Sequence, residues 1–434
     1  MKRRNFINNI GGSIAATGLL AGHAVASQSA KLVAKQPQID QANNIDILNI
    51  RDAFPRLQKE IYLNAAGTMP LSNFSELGLQ KHNNYNRLGY KHGGGEYVSQ
   101  MKKEIRGLFA SLIKAKENEI GFIQNTKSGE QVALNAVDGI KANGNIVTND
   151  LHFAPSLHNL MGLKKAGRDV RIVRAENWRT SLQKMKAAID EQTALVAITL
   201  VSNIHGHIED VTELAKYAHQ HGAILYADII QAAGIVPLDV HKMGIDIAAC
   251  SCYKWLYGVH GTGFIFVSEE HQGSTIKDEL YPGFFRHNYT PWVEQADKTK
   301  EDMPFRAPSD ANRYQAGHIS YLGYCAAYEG LKFIHQVGTD KLLAHSVKLN
   351  QLLKSKLDGD RYQCISTHLD QSPIITFKAN PNEDIWTKLR DANIQASFGQ
   401  NRLRISPALY NNENDIELLV KALHKAPGTK YQLE

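Results

Sequence analysis

The order of apolar runs in this 434-residue chain predicts an α/β protein: a large, mostly parallel sheet covered by helices, then a smaller C-terminal α/β unit. Three observations lead to that class. From 119 to 267 short apolar runs alternate with helix-period stretches, the order of a parallel sheet. Two of these runs, Ile245–Cys250 and Gly263–Val267, are joined by a tight connection holding Lys254 and then Gly258, Gly261 and Gly263. After 357 the strand and helix patterns resume on a smaller scale.

Taken in order, Ile61–Leu63 is a short strand running into a Gly turn at Gly67, with Pro70 close behind. Asn73–Tyr90 and Glu96–Ile113 have helical spacing, with the flexible hinge His92-Gly93-Gly94-Gly95 between them. Gly121–Ile123 is a strand, Gln124–Glu130 a polar turn, and Gln131–Ile140 a helix. Strands follow at Asn145–Asn149 and Leu195–Ser202, a helix at Val211–His221, and a strand at Ala223–Asp228. The stretch from Val267 to about Ala316 is a long polar connection dotted with aromatics, of a length that is usually functional. Tyr321–His335 and Lys341–Leu357 are helices; the small unit has strands Tyr362–Ser366, Pro373–Phe377 and Leu403–Ile405 and helices Glu383–Ala392 and Asn414–His424.

Composition is that of a globular protein, 43% hydrophobic and 21% charged. A net charge of +6, to which Lys2, Arg3 and Arg4 contribute, is too mild to argue for nucleic acid or an anionic membrane as partner. Cys250, Cys252, Cys325 and Cys364 show no metal-ligand spacing, and Cys250 and Cys252, alternating at a strand end, read as packing residues and not as a redox pair. His205 and His207 form an i, i+2 pair with no third ligand in reach, so no metal is expected.

Residues 1–26 read as a twin-arginine signal peptide: Lys2-Arg3-Arg4-Asn5-Phe6, a weakly apolar region from Ile10 to Leu20, and the small-residue site Ala24-Val25-Ala26 before Ser27. The expected location is the periplasm. Residues 27–50 are a polar, flexible lead, 51–318 the large domain, and 319–434 the connecting helix with the small C-terminal domain.

Chemistry concentrates at two strand ends. Lys254, fixed on a turn between core strands, is a Schiff-base nucleophile whose burial would leave a neutral amine. Asp228 ends a strand one α/β unit earlier, with Gln231 three residues on, where open α/β sheets bind ligands. A Lys and an acid so disposed suit pyridoxal phosphate, which needs the amine for attachment and the acid on its ring nitrogen. The polar turn before the 131–140 helix makes an anion site from free N–H groups and the helix dipole.

With these motifs in order, the chain from about Asp52 to about Leu423 resembles the class V aminotransferases, pyridoxal-phosphate enzymes that include cysteine desulfurases, kynureninases and isopenicillin-N-epimerase-like proteins. The resemblance implies fold type I, with a seven-stranded sheet, and a homodimer with active sites at the interface. It implies Lys254 as attachment point and base, and Asp228, Gln231, Asn203, Ser251 and Tyr253 around the cofactor. A ring at His152, with Phe153 second, would stack on the pyridine, and Ser128 and Lys127 stand where the family places two phosphate-binding Thr. Gly317-His318 stands where the family reaches the partner's phosphate. Arg404, in Arg402-Leu403-Arg404-Ile405-Ser406-Pro407, matches the clamp for the substrate's α-carboxylate; Asn64 and Ala65 border the substrate, and Arg402 reads as a surface charge.

Family desulfurases need a nucleophilic Cys just before the closing Arg. Here that loop, Ile394–Asn401, holds Ser397 and no thiol. The expected reaction is therefore transamination or epimerisation at Cα, with Tyr253 or His260 as second acid for the latter. A β-lyase of desulfurase or kynureninase type is the alternative, and an exported cofactor-binding protein without turnover is the alternative of another class.

Overall fold

The structure, a computed structural model, describes residues 47–277, 308–357 and 359–424. Its frame is a seven-stranded sheet in the order β2-β8-β7-β6-β5-β3-β4. These strands are β2 (Ile120–Ile123), β3 (Asn145–Asn149), β4 (Val170–Val173), β5 (Thr193–Thr199), β6 (Ile224–Asp228), β7 (Ile247–Ser251) and β8 (Gly263–Val267). Only β8 runs against its neighbours β2 and β7; all other pairs are parallel. Every residue of β3, β5, β6, β7 and β8 is buried, as a sheet with both faces covered requires. The mostly parallel α/β class and the seven strands are thus as expected.

The long helices α1 (Asn73–His92) and α2 (Gly95–Ile113) follow β1 (Ile61–Tyr62). Ser72 caps α1 by accepting from the Ser75 N–H at 3.1 Å. The hinge between them is one left-handed residue, Gly94 at φ 75°. On α2, Val98, Met101, Ile105, Phe109 and Ile113 make one buried stripe. Phe109 stacks on Phe264 of β8 with ring centroids 4.2 Å apart, a burial worth about 2 kcal/mol.

Helix α3 (Thr126–Ala136) starts five residues earlier than the hydrophobic period implies, and a short α4 (Asp138–Lys141) completes the predicted stretch. The reason is a cap. Asn125 accepts from the Ser128 N–H at 2.9 Å, and the Ser128 Oγ accepts from the Asn125 N–H at 3.1 Å. The polar turn is therefore the first turn of the helix. Helices α5 (Ala154–Lys165), α6 (Leu182–Ala188) and α7 (Val211–Gln220) complete the crossovers. The first two, and β4, lie in stretches the sequence reading left unassigned.

Helices α8 (Tyr321–Val337) and α9 (Thr339–Leu357) lead to an antiparallel sheet in the order β12-β13-β10-β9. It contains β9 (Tyr362–Cys364), β10 (Ile375–Ala379), β12 (Ser397–Gly399) and β13 (Arg402–Ile405), packed by α10 (Ile385–Asp391) and α11 (Glu413–His424). β1 joins this unit by pairing in parallel with β11 (Ile394–Gln395), and Leu63 belongs to its apolar cluster with Leu403, Ile405 and Leu419. The described residues from Leu48 onward form one compact unit. The twin-arginine segment, nearly all of the 27–50 lead, and 278–307 of the long connection lie outside the described residues.

Candidate active site

The carboxyl ends of β5, β6 and β7 and the N-terminus of α3 meet around a cavity of about 390 Å³. Asp228 is the last residue of β6, and Ser251 the last of β7. Lys254 lies three residues beyond, on a turn held by the Met69 N–H donating to Tyr253 O at 2.9 Å and the Ser75 hydroxyl donating to Tyr257 O at 2.6 Å. All three residues line the cavity, and Lys254 is only 7% exposed.

Burial decides the electrostatics here. Desolvation lowers Lys254 to about 8, against a smaller upward pull from Asp228, and the positive Arg404 lowers it further. Desolvation raises Asp228 to about 6, opposed by the Ile230 N–H that it accepts at 3.0 Å. Near neutral pH the site thus offers a fraction of neutral amine beside a mostly ionised carboxylate. Lys254 forms no hydrogen bond or ion pair among the described residues; its Nζ lies 5.5 Å from the centre of the Tyr253 ring.

At the helix end, Thr126 lines the cavity and joins Ser251: its N–H donates to Ser251 Oγ at 2.9 Å, and the two hydroxyls are 3.0 Å apart. Lys127 also lines the cavity but is engaged by Glu130, and its Nζ lies 3.4 Å from Ser156 Oγ. Ser128, expected at the phosphate, is turned away and spent on the cap, where its Oγ donates to Asn125 O at 2.7 Å. Thr126 is the residue the sequence reading missed. Its signal was the Asn-x-x-Ser cap, which fixes the helix start at Thr126 and aims that residue inward.

The ring on the cavity wall is Phe153, the second choice, and not His152. His152 lies behind, 1% exposed, with Nδ1 2.6 Å from Thr199 Oγ1 and Nε2 3.7 Å from Glu130 Oε1. Thr199 also accepts from the Phe153 N–H at 3.1 Å, so one hydroxyl at the end of β5 fixes both rings.

Gln231 lines the cavity with its amide already spent, donating to Ala66 O and accepting from Trp255 Nε1, both at 2.9 Å. It ties the Lys turn to the 64–67 segment. Asn203 lines the cavity too, and its Oδ1 is buried without a partner. Arg404 donates from Nη1 to Asn203 O at 2.7 Å and from Nη2 to Asn64 Oδ1 at 3.2 Å, with its Nε buried and unpartnered. Asn64 therefore orients Arg404. Ala65 is fully buried and contributes a backbone bond to Ser406 O, not a surface facing the cavity. Tyr253 and His260, both on the wall, stack at 4.0 Å. Gly317 and His318 lie off the cavity wall in this chain; Gly317 O accepts from the Gln315 side chain at 2.9 Å. A second cavity, about 380 Å³, is lined by Lys102, Arg106, Asp310 and Tyr321, and there Asp310 is paired with Arg106 at 3.0 Å.

His205 and His207 stack, with His368 5.0 Å from the His207 ring and Glu209 Oε1 3.8 Å from its Nε2; Nε2 of His205 is 2.7 Å from Trp178 O, and Nδ1 of His207 is 3.1 Å from Thr367 Oγ1. No cluster of His, Cys, Asp and Glu suited to a metal occurs among the described residues. Cys250 and Cys252 are fully buried, and desolvation drives both thiols up, Cys252 to about 12.

Comparison with known proteins adds a family. The model of the family described as aminotransferase class-V matches residues 61–419. A probable cysteine desulfurase of Methanothermobacter thermautotrophicus is 25% identical over 88% of this chain and 98% of its own length. An uncharacterized aminotransferase of Bacillus subtilis, YcbU, is 20% identical over 86% and 98%. Among solved structures, the apo cysteine desulfurase of Thermococcus onnurineus superposes with a TM-score of 0.75 at 21% identity, covering 87% of this chain and 98% of that one. The cystine C–S lyase C-DES, solved with its product cysteine persulfide, gives 0.72 at 17%, covering 86% and 100%.

Proposed function

The chain belongs to the class V aminotransferase family, and from that membership we propose a pyridoxal-phosphate enzyme that breaks a carbon–sulfur bond in an amino acid without storing the sulfur on a cysteine of its own. The observation behind the second half is a base with no thiol beside it. Lys254 and Asp228 face the cavity, while no Cys lines it. Relatives named cysteine desulfurase favour C–S cleavage over transamination or epimerisation.

The residues present fit the family's cofactor, pyridoxal 5′-phosphate. Thr126, Ser251 and the N-terminus of α3 would hold its phosphate, Asp228 its ring nitrogen and Phe153 its ring face. The buried, partnerless Asn203 Oδ1 and Arg404 Nε are polar atoms waiting for a ligand. Bound there, the ring supplies an electron sink for charge developing at Cα. Arg404 holds the α-carboxylate and so orients Cα toward Lys254. Lys254 Nζ, its proton affinity lowered by burial, would hold the cofactor and is the base that would take the Cα proton. Loss of a thiolate from Cβ follows. The overall balance is an S-substituted cysteine plus water giving a thiol, pyruvate and ammonium.

The test supplies L-cystine and S-substituted cysteines to the loaded enzyme. Pyruvate, ammonia and the thiol should appear, and a variant with all four Cys changed to Ser should keep the activity. Alanine formed through a persulfide on a protein Cys would overturn the proposal. A second reading, epimerisation, is favoured by the Tyr253–His260 stack, a candidate acid lining the same cavity as Lys254. It requires Cα deuterium exchange with inversion and no sulfur release. We also propose a homodimer, and export directed by the N-terminal arginines.

A further inference from the structure

β13 carries two arginines on one face. Arg402 and Arg404 are separated by Leu403, whose fully buried side chain takes the opposite face. Across the antiparallel pairing with β10, Thr376 stands opposite Arg404 and Lys378 opposite Arg402. Directly opposed residues share a face, so Arg404, Arg402 and Lys378 form a file of cations from the site to the surface. Arg402 is half-buried and Lys378 exposed.

Nothing within the described residues balances this charge. Arg404 meets only two neutral oxygens, Asn203 O and Asn64 Oδ1, and its buried Nε meets none. Arg402, although half-buried, and Lys378 make no hydrogen bond or ion pair among the described residues. Like charges directly opposite across a sheet destabilise it. After desolvation, the positive Arg402 is the next cause lowering Arg404. The hairpin that presents Arg402 turns through Gln400 at φ 51° and Asn401 at φ 58°, two non-glycine residues in the left-handed region. One α-carboxylate occupies one guanidinium, which leaves Arg402 over.

We propose that the substrate bears a second carboxylate at the far end of its side chain, held by Arg402 with Lys378 at the outer edge while Arg404 holds the α-carboxylate. This rests on the C–S cleavage reading above, under which the substrate is a cysteine whose sulfur substituent ends in a carboxylate. A rise of about 3.3 Å per residue sets the two arginine roots roughly 7 Å apart, within the span of a flexible amino dicarboxylate. A planar guanidinium suits bidentate capture of each end.

The decisive experiment separates binding from turnover. Cofactor-loaded protein is titrated with glutarate and with its half-amide, followed by the cofactor absorbance and by calorimetry. Glutarate should bind about tenfold tighter or more, the gain of one good charge-assisted contact. Arg402→Gln should erase that preference by weakening glutarate alone, and Lys378→Gln should reduce it in part. Arg404→Gln should weaken both ligands. In turnover, S-(2-carboxyethyl)-L-cysteine should exceed its amide in kcat/KM by a similar factor, lost in Arg402→Gln. Equal binding of the two ligands to the wild type, or a preference that survives Arg402→Gln, overturns the inference and leaves C–S cleavage standing. Binding of either ligand that ignores Arg404→Gln overturns the carboxylate clamp, and with it both readings.

Discussion

At the scale of single residues, the site rests on what burial does to one amine and one acid. Lys254→Ala should leave the fold intact, abolish covalent attachment of the cofactor and remove its absorbance band. Normal turnover in that variant would refute the assignment. Because desolvation lowers Lys254 to about 8, cofactor capture by the apo-protein should quicken as pH rises and level off above about 8, since only the neutral amine attacks. Stopped-flow mixing at several pH values checks it; a rate flat from pH 6.5 to 9 would show the amine is not limiting. Asp228→Ala should cost at least ~3 kcal/mol in kcat/KM, as losing a buried charge partner does; a near-normal value would make Asp228 structural. Lys254 and Asp228 stood out because each follows an apolar strand run, and Arg404 through the resemblance of 402–411 to the family's closing motif. Thr126 and the swap of Phe153 for His152 were not, because which neighbour faces a cavity depends on a cap and on one hydroxyl, Thr199, that the linear pattern does not reveal.

At the scale of elements, the core strands other than β4 could be read from their apolar runs to within about three residues. Helix starts set by side-chain caps could not, and the 124–130 stretch read as a turn for that reason. Another device the pattern hides is the clamp at the start of β7. Buried Asp246 accepts from the Leu225 N–H at 2.7 Å and lies 2.9 Å from His219 Nε2 on α7 and 3.3 Å from His271 Nε2 after β8. Hydrogen bonding to Asp246 raises both histidines despite partial desolvation. A folded value above the ordinary 6.5 means their stabilisation is full below that pH and fades as pH rises through the folded values. Partial exposure limits the effect to about 1 kcal/mol. Tm should therefore fall between pH 6 and pH 8.5, and the fall should shrink in a His219→Gln/His271→Gln double variant. An unchanged pH slope in that variant would remove the clamp from the account.

At the scale of the whole molecule, the succession of a large parallel sheet and a small C-terminal sheet was legible, because each unit's apolar period is local. What pairs across the chain was not. β1 adds to β11 more than three hundred residues later, a register no local period encodes, and that pairing sets Asn64 beside Arg404. The described residues from Leu48 to His424 form one compact unit. We propose that Arg3 and Arg4 act as an export address and nothing more. Two variants separate address from fold. Deleting residues 1–46 should leave Tm and cofactor content unchanged while the protein stays in the cytoplasm. Changing Arg3 and Arg4 to Lys in the full chain should hold unprocessed, cofactor-loaded precursor there too, because the charge is kept and only the arginine pair is lost. Cell fractionation with an absorbance spectrum of each fraction reads both properties at once. Delivery of the double-Lys variant to the periplasm at the normal level would show that the pair is not an address, whatever the fold does.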